Sequence, residues 1–401
     1  MMSQVVLLGF TLPDDDIAEV TRRSQVLPTQ THNFAWSLVA ALRHGGADVR
    51  LLSSLPVPDF PAYDAVLVHS HRFRVGDVSG LSMGFVNVLL LKHLTRSVQL
   101  LALGRKFVAE ALPDALIVHG VHGPYLLWAL TRRRRGTRAI AVLTDPPGVI
   151  LPSDGLVRRV LKRADRAIVR AMLKKFDGVI ALSEDLARYY APGVPTFVTP
   201  GFAPTIERAS IDANPVPTIA YAGGLSEDYG VKRLVEAVLS ITDVDVRLEL
   251  YGRGELQHWI ESLAQTDPRI HFGGALPLDD VRKLLGRADL LVNPRRLDNE
   301  QITLSFPSKL LEYVALAVPT ITTPIPGIPS SLAQALVVTE DDSADSIRTS
   351  ILKVIGWGHE RRVQFGTSAR ALAAGQLSPL AQGPAIMRFV AGVLDTAQPR
   401  T

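Results

Sequence analysis

The run Val292–Ser330, VNPRRLDNEQITLSFPSKLLEYVALAVPTITTPIPGIPS, decides how the rest of the chain is read. Leu290-Leu291-Val292 is a short apolar run closed by Asn293-Pro294, the pattern of a buried strand that ends in a turn. A polar loop with Arg295, Arg296, Asp298, Asn299 and Glu300 follows. Phe306-Pro307-Ser308-Lys309 then opens an amphipathic run in which Leu310, Leu311, Val314 and Ala315 fall at helical spacing. Pro307 suits a first helical turn, and Ser305 suits an N-cap. Thr320-Ile321-Thr322 reads as the next strand, followed by the loop Pro324-Ile325-Pro326-Gly327. The unit is strand, polar loop, helix, strand, with charged residues gathered at the carboxyl end of its first strand. In a doubly wound sheet, ligands bind at that edge. Amides exposed at the helix start favour an anionic group there.

The same alternation extends towards the amino terminus. Strands are predicted at 218–222, 246–251 and 270–272, and helices at 231–239, 256–263 and 281–285. Pro200, Pro204, Pro215 and Pro217 crowd one aperiodic segment, which places an interdomain linker at 200–217. Before it, apolar runs at 4–9, 48–52, 65–69, 115–119, 139–144 and 178–182 read as strands of a parallel sheet. An acidic loop precedes a helix over 30–42. The segment 84–103 reads as mostly helical, with Lys92, His93, Arg96 and Gln99 interrupting it too often for a membrane span. At 401 residues the chain exceeds one core, so two α/β domains are expected, 1–200 and 201–378.

Composition narrows the class. The apolar fraction of 47% fills two cores, and the absence of cysteine excludes disulfides and thiolate metal sites. No run of 18 apolar residues and no signal-peptide layout is visible, so a cytoplasmic protein is expected. The net charge of +4 is uneven: residues 1–200 hold 24 Lys+Arg against 16 Asp+Glu, and residues 201–401 hold 19 against 23. The basic half favours an anionic partner.

The constellation NPR, Glu300, SFPSK-x-x-EY and Pro-Thr-Ile resembles the donor-site signature of GT-B glycosyltransferases of the retaining family 4 type, closest to the bacterial branch that makes polysaccharides or glycolipids. The resemblance implies two Rossmann-like domains with parallel sheets facing a central cleft, closed during transfer. It implies a final helix, about 379–396, that returns to the first domain. It also implies a nucleotide-diphosphate sugar as donor, with no further cofactor. The second Glu of the family's Glu-x7-Glu pair falls on Glu312, whose family role is to bind the ribose. The first falls on Leu304, which cannot bond a sugar hydroxyl; Glu300 or the backbone near Ser305 is left to replace it. The family usually carries an Arg at the place of Gly224 and a Lys at the place of Tyr229, both facing the diphosphate. Arg295 and Lys309 are the candidates to supply that charge, with Lys232 a weaker one, and Ser308 starts the same helix. An ordinary loop pairing of Arg295 with Asp298 or Glu300 is the alternative.

Two glycine turns at strand ends complete the donor set: Gly223-Gly224, where bare backbone can approach a diphosphate, and the segment around Arg253, which resembles the family's segment beside the base. Either pair also serves as a plain turn. In the first domain, His119 ends a strand where the family often has a His that reaches the donor sugar, and His122 lies just beyond. Asp145 ends the next strand and either contacts an acceptor hydroxyl or caps a turn. Gln30, Thr31 and His32 start a helix at the same edge. No metal cluster or Asp-x-Asp motif is visible, so a metal-independent enzyme is expected. Residues 156–175 carry eight Lys+Arg and one Asp beside an apolar stripe of Val157, Val160, Leu161, Ala164, Ile168, Ala171 and Met172. Such a helix either contacts the anionic inner face of a membrane, suiting a lipid-linked or anionic acceptor, or packs in the core. Nucleic acid is not expected, because stacking aromatics are missing from the basic clusters. A nucleotide-sugar epimerase of the same fold and a non-catalytic partner subunit remain the rival readings.

Overall fold

The computed structural model describes residues 2–24, 29–89, 91–133, 137–147, 155–206, 214–298, 304 and 306–395. Two compact units make up the chain, Met1–Phe202 with Pro379–Thr401, and Ala203–Ser378. Each is an α/β unit with a parallel sheet, and together they are the two Rossmann-like domains of a GT-B fold.

In the first unit the strand order is Thr196–Val198, Gly178–Ala181, Arg138–Leu143, Ala115–His119, Ser3–Gly9, Ala47–Ser54, Val78–Met83 and His71–Val75. Neighbours run parallel except the last pair, an antiparallel hairpin. Val5 to Leu8 and Leu116 to Val118 are fully buried, as central strands covered on both faces must be. The helix Thr29–His44 lies against this sheet, and the final helix Pro379–Asp395 packs on it. They meet nearly backbone to backbone: a Cβ on Gly383 would sit 2.3 Å from Ala41 O, and one on Gly45 would sit 2.3 Å from Met387 Cγ. Gln382 secures the final helix, accepting from Thr199 Oγ1 at 2.5 Å and donating to Gly201 O at 2.7 Å.

Three stretches depart from the sequence reading. The acidic loop is a helix, Asp14–Ser24, whose three aspartates occupy its first turn, where the helix dipole favours them. The strand expected at 65–69 shrinks to Leu67–Val68, paired with Phe85–Val86, and the hairpin His71–Val75/Val78–Met83 follows it. Its outer strand carries Arg72 and Arg74 on a largely exposed sheet edge, so no core alternation marks it. The segment 84–103 is mostly helical as expected, but it opens with a short strand and its helix is irregular. After Phe85–Val86 come the helix Leu91–Gln99, a wider π turn over Leu100–Gly104 and the helix Arg105–Ala111. The charges that interrupt it point inward: Lys92 Nζ donates to Val57 O at 2.6 Å and Asp59 Oδ1 at 2.8 Å, and Arg96 stacks 4.0 Å over the Phe85 ring.

In the second unit all neighbours are parallel, in the order Ile270–Gly274, Arg247–Arg253, Thr218–Gly224, Leu290–Asn293, Thr320–Thr322 and Val337–Val338. The helix Val231–Leu239 buries Val231, Leu234, Val235 and Val238 against it. The run Gly358–Asp395 is long and apolar enough to cross a membrane by length and composition alone. In the fold it is two helices broken at extended Ser378, one packed in each unit.

Candidate functional site

Parallel register brings four strand ends together in the second unit. Gly223 pairs with Gly252, Gly224 with Arg253, and Asn293 with Thr322. The backbones crowd so closely that side chains are excluded: a Cβ on Gly252 (φ +139°) would lie 1.8 Å from Gly223 O. A Cβ on Gly223 (φ +150°) would lie 1.7 Å from Lys309 Nζ, so the ammonium of Lys309 occupies the space over that glycine.

Lys309 begins the helix Lys309–Ala315. Its Nζ donates to Tyr221 OH at 3.1 Å, and Tyr221 OH donates to Gly224 O at 2.8 Å. Burial, and next the Arg295 charge, lower the Lys309 pKa from 10.5 to about 8, with Glu312 opposing. At about 1.4 kcal/mol per pK unit, holding this cation costs the fold on the order of 3 kcal/mol at neutral pH. Arg295 is also buried, with its carbonyl accepting from Thr323 Oγ1 at 2.7 Å and its guanidinium 5.7 Å from the Tyr229 ring.

Arg296, the neighbour of Arg295, donates from Nε to Asp298 Oδ1 at 3.1 Å. Lys232 is committed elsewhere, in an ion pair with Glu227 at 3.4 Å. Glu312 stands beside Lys309 and accepts from Arg282 Nη2 at 3.4 Å. Next to it, Tyr313 OH accepts from Ala222 N at 3.0 Å and donates to Ala222 O at 3.2 Å, locking the helix to the strand that ends in Gly223-Gly224. Ser308, exposed, is the N-cap residue without a side-chain cap bond, so the helix starts two residues later than Pro307 had indicated. Seven residues make only a weak dipole, and the two cations are the stronger local field. Arg253 is exposed at its strand end, and its carbonyl accepts from Leu225 N at 2.9 Å. Glu300 and Ser305 lie outside the described residues.

The structure thus gathers Gly223, Gly224, Arg295, Lys309 and Glu312. It adds Tyr221, Tyr229, Tyr313 and Arg282, which the sequence reading did not assign to the site. Tyr313 directly follows Glu312, and Tyr221 and Tyr229 lie within a few residues of Gly224. Their contacts with Lys309 and Arg295, and that of Arg282 with Glu312, span dozens of residues.

In the first unit, His119 ends its strand fully buried, its ring 5.3 Å from that of Phe34. Desolvation lowers its pKa to about 4 and keeps the imidazole neutral. His122 meets the Phe10 ring edge to face and lies tilted against Tyr125, and its Nε2 meets His93 Nδ1 at 3.2 Å. Burial, and then the charge of Arg96, lower its pKa to about 3. Asp145 is exposed just beyond the strand Arg138–Leu143. His32 is buried, with Nε2 2.7 Å from Asp14 Oδ1.

Two family descriptions match in tandem, "Glycosyl transferase 4-like domain" over residues 31–197 and "Glycosyl transferases group 1" over 216–356. No curated protein sequence matches the chain. Among solved structures it is similar to sucrose-phosphate synthase from Thermosynechococcus elongatus, with TM-score 0.67, 13% identity, and coverage of 98% of this chain and 100% of that one. It is similar to HepE of Anabaena in complex with UDP, with TM-score 0.59, 13% identity, and coverage of 97% and 100%. It is also similar to the lipopolysaccharide outer core galactosyltransferase WaaB, with TM-score 0.59, 13% identity, and coverage of 97% and 99%. With a glycosyltransferase domain matched in each of its two compact units, the chain is a glycosyltransferase of the GT-B fold.

Proposed function

We propose that the protein is a retaining glycosyltransferase of the family 4 type, moving a sugar from a nucleotide-diphosphate donor to a membrane-associated glycolipid or polysaccharide acceptor. The observation that carries the donor half is the Lys309 ammonium seated on Gly223, with Arg295 beside it, at the carboxyl edge of the sheet. HepE, of like fold, was solved in complex with UDP, which supports a diphosphate as the anion. In retaining transfer an oxocarbenium-like state forms beside the departing diphosphate. Lys309 and Arg295 meet the charge that grows on that leaving group, and Glu312 accepts from the ribose hydroxyls. His119, neutral, is assigned to the donor sugar, and Asp145 to the acceptor hydroxyl. The two cations make a divalent ion and any further cofactor unnecessary in this reading, so turnover survives a chelator. A thermal-shift screen with UDP-, GDP- and ADP-sugars tests it: a donor at a hundred times its Kd stabilises the fold by about 2.7 kcal/mol. Product NMR then reads the anomeric configuration. Donor conversion without acceptor would reveal an epimerase, and no stabilisation by any nucleotide would point to a non-catalytic subunit.

The acceptor half rests on the helix Leu156–Leu173. Its apolar stripe does not pack in the core: Leu156, Val157 and Leu161 are 78%, 74% and 63% exposed, and Val169 and Leu173 are its buried residues. Arginines and lysines flank a face turned outward, the layout of a helix that lies in a bilayer interface. The helix Gly123–Arg133 packs on it and the helix Leu91–Gln99 packs on that, carrying exposed Leu127, Leu94 and Val98. We place the protein in the cytoplasm, peripheral on the inner face of the cell membrane, through residues 156–175. Each facing cation is worth about 1 kcal/mol near an anionic leaflet. Changing Arg159, Lys162, Arg163 and Arg166 to Gln is expected to weaken binding to anionic vesicles by at least about tenfold, read by co-sedimentation. Partition that ignores lipid charge, or is unchanged in the variant, would remove the helix as the electrostatic anchor.

A further inference from the structure

Tyr221 and Gly223 stand two apart on the strand Thr218–Gly224, so their side-chain positions share one face. Gly223 leaves its position empty, and two other residues fill it. Lys309 Nζ lies 1.7 Å, and Tyr221 OH 3.2 Å, from where a Cβ on Gly223 would be. The tyrosine reaches along its own strand to the spot that the lysine enters from 88 residues further along the chain.

The hydroxyl of Tyr221 has a single proton, and its neighbours fix how it is used. It donates that proton to Gly224 O at 2.8 Å. An ammonium only donates, so towards Lys309 the same oxygen accepts, at 3.1 Å. Among the described residues this is the one hydrogen bond that Lys309 Nζ makes, and the remaining donors of the ammonium are left for an anion. The Tyr221 ring adds a second hold, its centroid 4.7 Å from the charge, inside the range of cation–π attraction. Tyr221 is fully buried, and burial raises its pKa well above 10, which keeps the phenol neutral.

We infer that Tyr221 is a positioning residue: it ties the Lys309 ammonium to the Gly224 carbonyl and so fixes the cation in the place of the missing Gly223 side chain, ready for the diphosphate. A lysine by itself has a flexible four-carbon stem, and a side chain that must be ordered on binding costs affinity. Tyr221 orders it beforehand, as part of the fold. A carboxylate in the place of the hydroxyl would hold the amine too, but it would cancel the charge that the ligand needs. A neutral phenol holds the amine and leaves its charge. The inference rests on the donor reading of this site, and Tyr221 acts in it through Lys309 alone.

The test is a double-mutant cycle, read by calorimetric titration of UDP, GDP and ADP, each beside its nucleoside. Wild type, Tyr221→Phe, Lys309→Met and the combination of the two are compared. Tyr221→Phe keeps the ring and removes only the hydroxyl, and melting curves confirm that each variant folds. Tyr221→Phe is expected to weaken diphosphate binding about tenfold, the loss of one hydrogen bond to a charged group, with nucleoside binding unmoved. In the Lys309→Met background the same change is expected to move diphosphate affinity by less than about twofold, since the group it acts on is gone. A hydroxyl that merely braced the Gly224 turn would cost the same in both backgrounds, and equal losses would overturn the inference. So would a Tyr221→Phe protein that binds diphosphate like wild type; either result leaves the donor reading standing. The pH dependence is a second readout. The amine is faced by the Arg295 charge, the Glu312 carboxylate and the phenols of Tyr221 and Tyr229. Without the accepting oxygen it is a weaker base, so the pH at which diphosphate affinity begins to fall, about 8 in wild type, moves lower in Tyr221→Phe. An unmoved pH would also count against the inference. If wild type binds none of the three diphosphates, or Lys309→Met binds them like wild type, the donor reading itself fails, and this inference with it.

Discussion

Replacing Glu312 by Ala is expected to remove between about 90% and 99% of sugar transfer and to leave the fold standing. A carboxylate that accepts from sugar hydroxyls forms charge-assisted bonds worth ~1.5–3 kcal/mol, or roughly 10- to 100-fold in turnover at limiting donor. Its contribution to the fold is small: the bond to Arg282 is 3.4 Å long and about a third of the Glu312 side chain is exposed, so the ion pair is worth roughly 0–1 kcal/mol. A second effect acts in the same direction. Glu312 raises the Lys309 pKa, and without it the amine loses its proton at lower pH. The pH profile of donor binding in Glu312→Ala therefore falls off earlier than in wild type. Steady-state kinetics across pH 6.5–9 read both effects. Wild-type turnover in the variant would remove Glu312 from the site.

Lys309→Ala and Arg295→Ala are each expected to weaken nucleoside diphosphate binding by ~1.5–3 kcal/mol, with the parent nucleoside nearly unaffected. The nucleoside control matters because a general collapse of the site lowers both affinities alike, and equal losses would contradict a role at the diphosphate. The two variants differ in stability. Arg295 is buried, so its truncation leaves a cavity and a lower melting temperature. Lys309 carries a penalty instead. Its folded pKa, about 8, lies below the unfolded 10.5, so between these values the unfolded chain binds the extra proton and stability rises with pH. Lys309→Met, which keeps the volume without the charge, removes that rise. The difference in unfolding free energy between Lys309→Met and wild type, measured from pH 7 to pH 10, is expected to shrink as pH increases. A constant difference would show that the amine is not strained by burial.

The sequence by itself was sufficient for the fold class and for singling out Gly223, Lys309 and Glu312, which the fold brings to one sheet edge. Strands buried on both faces are continuous apolar runs, and such runs alternating with helical periods admit few arrangements other than parallel sheets. The helix predicted at 231–239 is found as Val231–Leu239, because its apolar spacing and the glycine before it are local signals. Gly223 and Lys309 were both singled out as candidates. That the amine sits on the glycine was not visible, because 86 residues separate them and tertiary contacts such as the Tyr313 bonds to Ala222 join their elements.

What the tertiary structure alone decided is which side of each pattern faces inward. Periodicity says which residues share a helix face, not which face is covered. In Leu91–Gln99 the cations Lys92 and Arg96 are buried, because carbonyls of the strand-end loop, Asp59 and the Phe85 ring receive them, while Leu94 and Val98 face out. In Leu156–Leu173 the apolar stripe is likewise turned outward, where a core would have buried it. Arg295 and Arg296 are the same residue type at adjacent positions, and no local rule separates them. One is drawn in where Thr323 holds its carbonyl and Tyr229 lies near its guanidinium; the other closes on Asp298 two residues away.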